Sequence, residues 1–83
     1  MPTVRGVEVE RDSVVPVYEQ IANAIAAQIE SGELAPGARV PSESTLTQRF
    51  EVSRDTARRA VELLRQRGLV ETRSGKGSYV IRR

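Results

Sequence analysis

The sequence predicts a mainly α domain with a small β-hairpin, an α+β class in which three helices precede the hairpin. Three segments between residues 17 and 67 repeat apolar residues at spacings of three and four, the period of a helix with one buried face. Two later runs rich in Val, Thr, Tyr and Ile flank a glycine-rich turn, as in a hairpin. Eighty-three residues, 39% of them apolar and 29% charged, are enough for one folded core and for no second one.

The first fifteen residues are predicted to form an N-terminal arm, residues 1–15. Residues 7–11 read Val-Glu-Val-Glu-Arg, an alternation typical of a short, half-buried edge strand. Residues 12–16 interrupt this pattern, and Pro16 suits the first position of a helix because an N–H donor is not needed there. The arm is therefore expected to end where the first helix begins.

The first helix is expected to run from Pro16 to Gly32, which would end it in the left-handed conformation. One face, apolar except for Gln28, comprises Tyr18, Ile21, Ala22, Ile25, Gln28 and Ile29. A connector rich in turn residues follows at 33–41, and its Leu34 and Val40 are expected to anchor it to the core.

Serines mark the starts of the other two helices. Ser42 is predicted to cap a short helix at about 43–50, and Ser53 to cap a third helix that ends near Arg67, before Gly68. The residues expected to face inward are Leu46 and Phe50 in the second helix and Ala57, Ala60, Val61 and Leu64 in the third. Because alanines let two helices approach closely, this pair is predicted to form a helix-turn-helix corner.

The last two segments predict the hairpin. The expected strands are Leu69–Arg73 and Ser78–Ile81, with the turn at 74–77. A helix-turn-helix that is followed by a hairpin is a winged helix-turn-helix, in which the hairpin is the wing. This domain of three helices plus a wing is predicted to occupy residues 16–83.

Positive charge is concentrated in the second half of the chain. Residues 1–41 contain three basic and six acidic side chains, whereas residues 42–83 contain ten basic and five acidic ones. Twelve of the thirteen basic residues are arginines, whose planar fork binds a phosphate or a guanine edge through two parallel hydrogen bonds. The distribution fits a nucleic-acid partner, and it fits an ordinary solvated surface equally well.

The residue types that most enzymes and metal sites need do not occur in the sequence. With no Cys and no His, the chain offers no thiolate or imidazole, so we expect no metal, no cofactor and no nucleophile–histidine chemistry. Carboxylates are the remaining acid–base groups, and binding is a better prediction than catalysis. No apolar run approaches the ~18 residues of a membrane span, and no export signal is recognisable, so a cytoplasmic location is expected.

Several short motifs span residues 16–80 in a characteristic order. They are Pro16-Val17-Tyr18-Glu19-Gln20-Ile21-Ala22, Ser31-Gly32-Glu33-Leu34-Ala35-Pro36-Gly37, Val40-Pro41-Ser42-Glu43, Val52-Ser53-Arg54, Thr56, Arg58, Gly68-Leu69-Val70 and Gly75-Lys76-Gly77-Ser78-Tyr79-Val80. In this order and spacing they make the chain resemble the DNA-binding domain of the GntR family of bacterial transcriptional regulators.

The resemblance implies that the third helix, at about 53–67, lies in the major groove of double-stranded DNA, and that the wing at 73–78 contacts the backbone or the minor groove. The implied DNA-binding residues are Ser42, Ser44, Thr45, Arg49, Ser53, Arg54, Asp55, Thr56, Arg58 and Arg59 in the helix-turn-helix, and Arg73, Gly75, Lys76 and Gly77 in the wing. Among them, Arg54 is the expected guanine contact.

Structural roles remain open for several of these residues. The arginines of the third helix could simply pair with Asp55 and Glu62 at helical spacing. Asp55 could accept a hydrogen bond from cytosine, or it could suit the positive end of the helix dipole, and the second interpretation is preferred. Thr56 could touch a phosphate or a thymine methyl group, or it could be an ordinary surface residue.

The chain departs from the family pattern at three positions. Members commonly carry Arg where this chain has Ser44, so the base or phosphate contact that this arginine often makes is expected to be lost. Glu51 replaces a Gly, at a cost of about 1 kcal/mol if the turn needs a left-handed residue. Asp55 replaces an uncharged residue, so a different base preference is expected. Members also continue into an effector-binding and dimerising domain, so no small-molecule effector site is expected in these 83 residues.

The predicted function is a sequence-specific, DNA-binding transcriptional regulator that acts as a repressor by blocking an operator. The expected partner is double-stranded DNA, a palindromic operator bound by two copies as a homodimer on the DNA, with no membrane partner. The expected location is the bacterial cytoplasm, at the nucleoid. Two alternatives remain: a winged-helix protein–protein interaction module, and a DNA-binding fragment of a longer effector-responsive regulator.

Overall fold

A computed structural model describes residues 9–82, and these form three helices and one hairpin. The elements are α1 (Val17–Ser31), α2 (Glu43–Phe50), α3 (Arg54–Gln66), β1 (Val70–Arg73) and β2 (Gly77–Val80). The two strands pair antiparallel. This architecture confirms the predicted fold class, three helices plus a wing.

The core lies where α1 and α2 pack on α3 and the hairpin closes one end. Its buried residues are Ile21, Ala22, Ile25, Ala26, Val40, Leu46, Ala57, Ala60, Leu64, Val70 and Val80. Ala57 and Ala60 are fully buried, and their small side chains let α3 approach its neighbours closely, as expected for a tight corner. The sequence pattern missed Ala26, and Val61 is half-buried rather than buried.

Helix α1 begins one residue later than predicted. Pro16 is the N-cap of α1 and not its first residue, because its ψ of 148° is extended and leaves the helical range. At the other end Gly32 has a φ of 89° and ends the helix in the left-handed conformation, as predicted. Helix α3 ends at Gln66, with Arg67 as its C-cap.

The described part of the predicted edge strand at 7–11 forms no strand. The predicted residues Val7 and Glu8 lie outside the described residues, and residues 9–11 are irregular or in a turn. The side chain of Gln20 satisfies this backbone instead: its Oε1 accepts from the N–H of Glu10 at 2.6 Å, and its Nε2 donates to the carbonyl of Glu10 at 2.7 Å. The amide of Gln20, on α1, therefore makes the two backbone hydrogen bonds that a paired strand would have made with Glu10.

The connector at 33–41 contributes backbone to the wing, which the sequence did not indicate. Arg39 forms a single antiparallel bridge with Tyr79. On either side of it, Val40 donates its N–H to the carbonyl of Ser78, and Val80 donates to the carbonyl of Ala38, both at 2.8 Å. Strand β2 thus lies between β1 and the connector, and Val40 is buried as predicted while Leu34 is half-buried.

The hairpin turn is one residue shorter than predicted. The register pairs Val70 with Val80 and Arg73 with Gly77, so Gly77 belongs to β2, while Leu69 and Ile81 lie outside the strands. The reason is a tight turn: Lys76 donates its N–H to the carbonyl of Arg73 at 2.9 Å.

Glu51 carries the left-handed backbone of the turn between α2 and α3. Its φ of 56° and ψ of 53° make it the one residue other than glycine with positive φ in residues 9–82. Such a conformation costs an L-residue with a Cβ about 1–2 kcal/mol. The turn therefore needs a left-handed residue, which is the condition under which the sequence predicted a cost for Glu51.

We expect Glu51→Gly to raise the free energy of unfolding by up to about 1 kcal/mol. The relief of left-handed strain exceeds the extra backbone entropy that glycine loses on folding. Urea denaturation followed by circular dichroism measures the change, with Glu62→Gly in the middle of α3 as the matched control. That control should lose about 1 kcal/mol. A Glu51→Gly protein less stable than the wild type would contradict the assignment.

Candidate nucleic-acid interface

Two identical serine–threonine caps build the helix-turn-helix. Ser42 Oγ accepts from the N–H of Thr45, and Ser53 Oγ accepts from the N–H of Thr56, both at 3.1 Å. Each serine hydroxyl also lies 3.1 Å from the hydroxyl of its threonine. Since a cap satisfies one of the four free N–H groups at a helix start, the remaining donors of α2 and α3 still favour an anion.

The outward face of α3 carries the charged residues that the sequence predicted there. Arg54, Asp55, Arg58 and Arg59 are all exposed, while Ala57, Ala60 and Leu64 on the opposite face are buried. The guanidinium groups are therefore available to a partner that approaches α3 from solvent. Thr56, between these two faces, is half-buried.

Asp55 holds two of the three arginines. Its carboxylate lies 3.0 Å from Arg59 Nε and 3.5 Å from Arg58 Nη1, and Glu43 of α2 adds a contact of 3.5 Å to Arg58 Nε. Pairs this exposed contribute only about 0.2–1 kcal/mol each, so a phosphate can replace them. The alternative in which the arginines of the third helix pair with Asp55 is therefore correct for Arg58 and Arg59. The predicted pairing of these arginines with Glu62 is not seen, because Glu62 contacts Arg65 at 2.7 Å.

Arg54 differs from its two neighbours. Within residues 9–82 its side chain takes part in none of the ion pairs or side-chain hydrogen bonds. It is the first residue of α3, directly after the cap Ser53. Its guanidinium is therefore not engaged by a carboxylate of the described residues.

The wing is braced by Tyr79, a residue that the sequence did not single out. Its hydroxyl donates to the carbonyl of Lys76 at 2.9 Å, and the guanidinium of Arg73 lies 5.2 Å from the centre of its ring. Arg73 also pairs with Glu71 at 3.0 Å. The exposed Lys76 and its neighbour Gly75 thus lie at the tip of a turn that Tyr79 supports. In the sequence, the spacing of three residues between Lys76 and Tyr79 was the feature that could have indicated this contact.

The structure divides the remaining predicted residues between two grooves that flank the start of α2. A groove of about 460 Å³ between α2, α3 and the wing is lined by Ser42, Ser44, Arg58 and Gly77, among others. A second groove of about 530 Å³, toward the end of α1, is lined by Thr45 and Arg49 as well as by Ser42. Ser42 lines both grooves, so the predicted residues of the two grooves meet there. Arg58 lines the first groove and Arg49 the second, so these two arginines lie on different sides of α2.

No group of three or more His, Cys, Asp or Glu residues among 9–82 is arranged to hold a metal ion. Within the same residues, every helix is too short or too polar to cross a membrane.

An arginine-bearing third helix on a tight helix corner, beside a wing with a cationic tip, defines a winged helix-turn-helix domain of the DNA-binding class. The family model for bacterial regulatory proteins of the gntR family matches residues 17–80. The chain belongs to the GntR family, which confirms the resemblance seen in its motifs.

Curated relatives and solved structures agree with this membership. The mannosyl-D-glycerate transport/metabolism system repressor MngR of Escherichia coli (strain K12) is 46% identical over 65 residues, which are 78% of this chain and 27% of that protein. The transcriptional repressor NagR of Bacillus subtilis (strain 168) is 36% identical over 72 residues, 87% of this chain and 30% of that protein. This chain thus spans less than a third of the length of either relative.

A solved structure of the AraR DNA-binding domain in complex with operator ORX1 resembles this chain over most of its length. Its TM-score is 0.78 at 32% sequence identity, and the match covers 89% of this chain and 98% of that one. The two folds are therefore the same over nearly the whole of that domain.

Proposed function

We propose that residues 16–83 form the sequence-specific DNA-binding domain of a transcriptional repressor, preceded by an arm at 1–15. In this proposal α3 lies in the major groove, and the wing contacts the backbone or the minor groove. The observation that carries it is the outward arginine face of α3, placed beside two helix starts that favour anions. Family membership and the AraR–operator structure support the same partner.

The roles of the α3 residues follow from their contacts. Arg54, whose fork is not engaged by a carboxylate, is proposed to bind a guanine edge. Arg58 and Arg59 are proposed to exchange Asp55 for phosphates, since their exposed ion pairs cost little to break. Asp55 then keeps the second role considered for it, a carboxylate at the positive end of α3 that also orients two arginines.

The other residues of the interface are proposed to contact the backbone. At the helix starts these are Ser42, Ser44, Thr45, Arg49, Ser53 and Thr56, and in the wing they are Arg73, Gly75, Lys76 and Gly77. Hydroxyl groups, free N–H donors and cations are the groups that usually bind phosphate oxygens, and such contacts position a protein without reading sequence.

Repression is proposed to be steric. Two copies would bind a palindromic operator about one helical turn apart, roughly 34 Å, and thereby block the promoter without catalysing a reaction. The domain measures 34 × 28 × 21 Å, so two copies fit side by side at that spacing. The names of MngR and NagR as repressors support this mode. The bacterial cytoplasm, at the nucleoid, is the proposed location, because that is where an operator lies.

Selection of bound duplexes from a random pool tests the proposal. The selected duplex should bind more tightly than its scrambled form, and log K should fall with log salt at a slope of about −4 to −5 per protomer if about five phosphates are neutralised. Fluorescence anisotropy at several salt concentrations measures both quantities. Equal binding of selected and scrambled duplexes would overturn the proposal, and no shift of any duplex at low salt would favour a protein-interaction module.

A further inference from the structure

Arg39 lies in the connector, outside both the helix-turn-helix and the hairpin. Its side chain is exposed, yet its backbone is fixed, because the neighbouring residues Ala38 and Val40 are hydrogen-bonded to β2 on either side of it. Arg39 itself bridges Tyr79, the residue that braces the wing. An exposed arginine is thus attached to the base of the wing by a rigid backbone.

The guanidinium of Arg39 rests against the backbone of Gly77. A Cβ added at Gly77 would lie 2.9 Å from Arg39 Nε and 3.1 Å from Nη2, closer than atoms of these types pack. The missing side chain at position 77 therefore makes room for the arginine. This contact places the guanidinium beside the wing in the unbound protein.

No carboxylate neutralises Arg39 in the described part of the chain. The ion pairs among residues 9–82 join Arg58 and Arg59 to Asp55, Arg58 also to Glu43, Arg65 to Glu62, and Arg73 to Glu71. Arg39 also lines both grooves that flank the start of α2, together with Ser42. An unpaired cation on a hydrogen-bonded backbone therefore stands between the start of α2 and the wing.

We propose that Arg39 is a DNA-backbone contact that joins the helix-turn-helix to the wing. Resting on the proposed function, this inference names a phosphate of the strand that passes from α2 to the wing as its ligand. The planar fork can hold two oxygens of one phosphate, as a lysine ammonium cannot. Gly77 acts in this contact by positioning Arg39, in addition to its own place in the wing.

Arg39→Ala and Arg39→Lys test the contact against the selected duplex and its scrambled form. The alanine variant should bind both duplexes more weakly by the same factor, about 5-fold to 10-fold, and its salt slope should be smaller by about 1. The lysine variant should keep the wild-type slope with an intermediate affinity. Arg67→Ala is the matched control: it removes one arginine at the far end of α3, where Arg67 donates to Asn23, and should leave the slope unchanged.

The outcomes separate this inference from the function on which it rests. If wild-type protein does not discriminate the two duplexes, the proposed function fails. If it does, and Arg39→Ala retains the wild-type affinity and slope, only the Arg39 contact fails. A loss confined to the selected duplex, or a lysine variant with the slope of the alanine variant, would likewise overturn a backbone contact. Circular dichroism melting of each variant establishes that the comparison is between folded proteins.

Discussion

Replacing Arg54 with alanine is expected to weaken binding to the selected duplex by about 1–3 kcal/mol, or about 5-fold to 150-fold. The fork of Arg54 stands at the first position of α3 with no carboxylate to hold it in the described structure. Removing this side chain would therefore remove the proposed base contact, and it would leave no carboxylate of the described residues without its ion-pair partner. Preference at one base pair should become weaker, while the contacts to phosphates stay in place.

Footprints and competition with point-substituted duplexes measure this effect. Lys76→Ala is the matched control, because it removes one exposed cation from the wing tip instead of from α3. That variant should lose affinity for all sequences similarly, with no change in base preference. An Arg54→Ala protein that retains both the affinity and the preference of the wild type would rule out α3 as the recognition helix.

Replacing Leu46 with alanine is expected to lower the free energy of unfolding by about 2–5 kcal/mol. Leu46 is completely buried in the core, with 0% solvent exposure, and it is the one buried residue of the two-turn helix α2. A cavity there removes the contact that fixes α2 against α3. Because native domains are stable by only about 5–15 kcal/mol, the variant should lose a large fraction of its total stability.

Urea denaturation at low temperature measures the loss, with Leu63→Ala as the control. Leu63 has the same side chain but is half-buried at the edge of the core, so its truncation should cost less. The DNA affinity of Leu46→Ala should recover wherever the folded fraction does, since Leu46 contacts no proposed ligand. If Leu46→Ala proved more stable than Leu63→Ala, the packing of α2 described above would be wrong.

The helices and their ends could be predicted because local interactions decide them. The hydroxyl groups of Ser42 and Ser53 accept hydrogen bonds from N–H groups three residues later in the chain. Gly32 adopts the left-handed backbone conformation, which is unfavourable for most other residues. The outward position of Arg54 followed in the same way, from alanines and a leucine at helical spacing on the other face of α3.

The contacts of the arm and the connector could not be predicted, because they join residues far apart in the chain. Arg11 donates to the carbonyls of Phe50 and Glu51, at 2.8 and 3.1 Å. Its guanidinium thereby supports the left-handed turn of the helix-turn-helix from 39 or 40 residues away. The alternation of residues 7–11 has the period of a strand, and it therefore predicted one. A strand also needs a neighbouring backbone to pair with, and the period of a sequence does not say which backbone will lie beside it.

The sequence by itself thus determined the three helices, the wing and the exposed arginine face, since spacing, caps and glycines act within a few residues of one another. Only the tertiary structure decided which arginines are paired, that Tyr79 braces the wing, and that Arg39 stands between the wing and α2. These arrangements depend on distances between separate elements, and such distances are set only when the elements pack around one core.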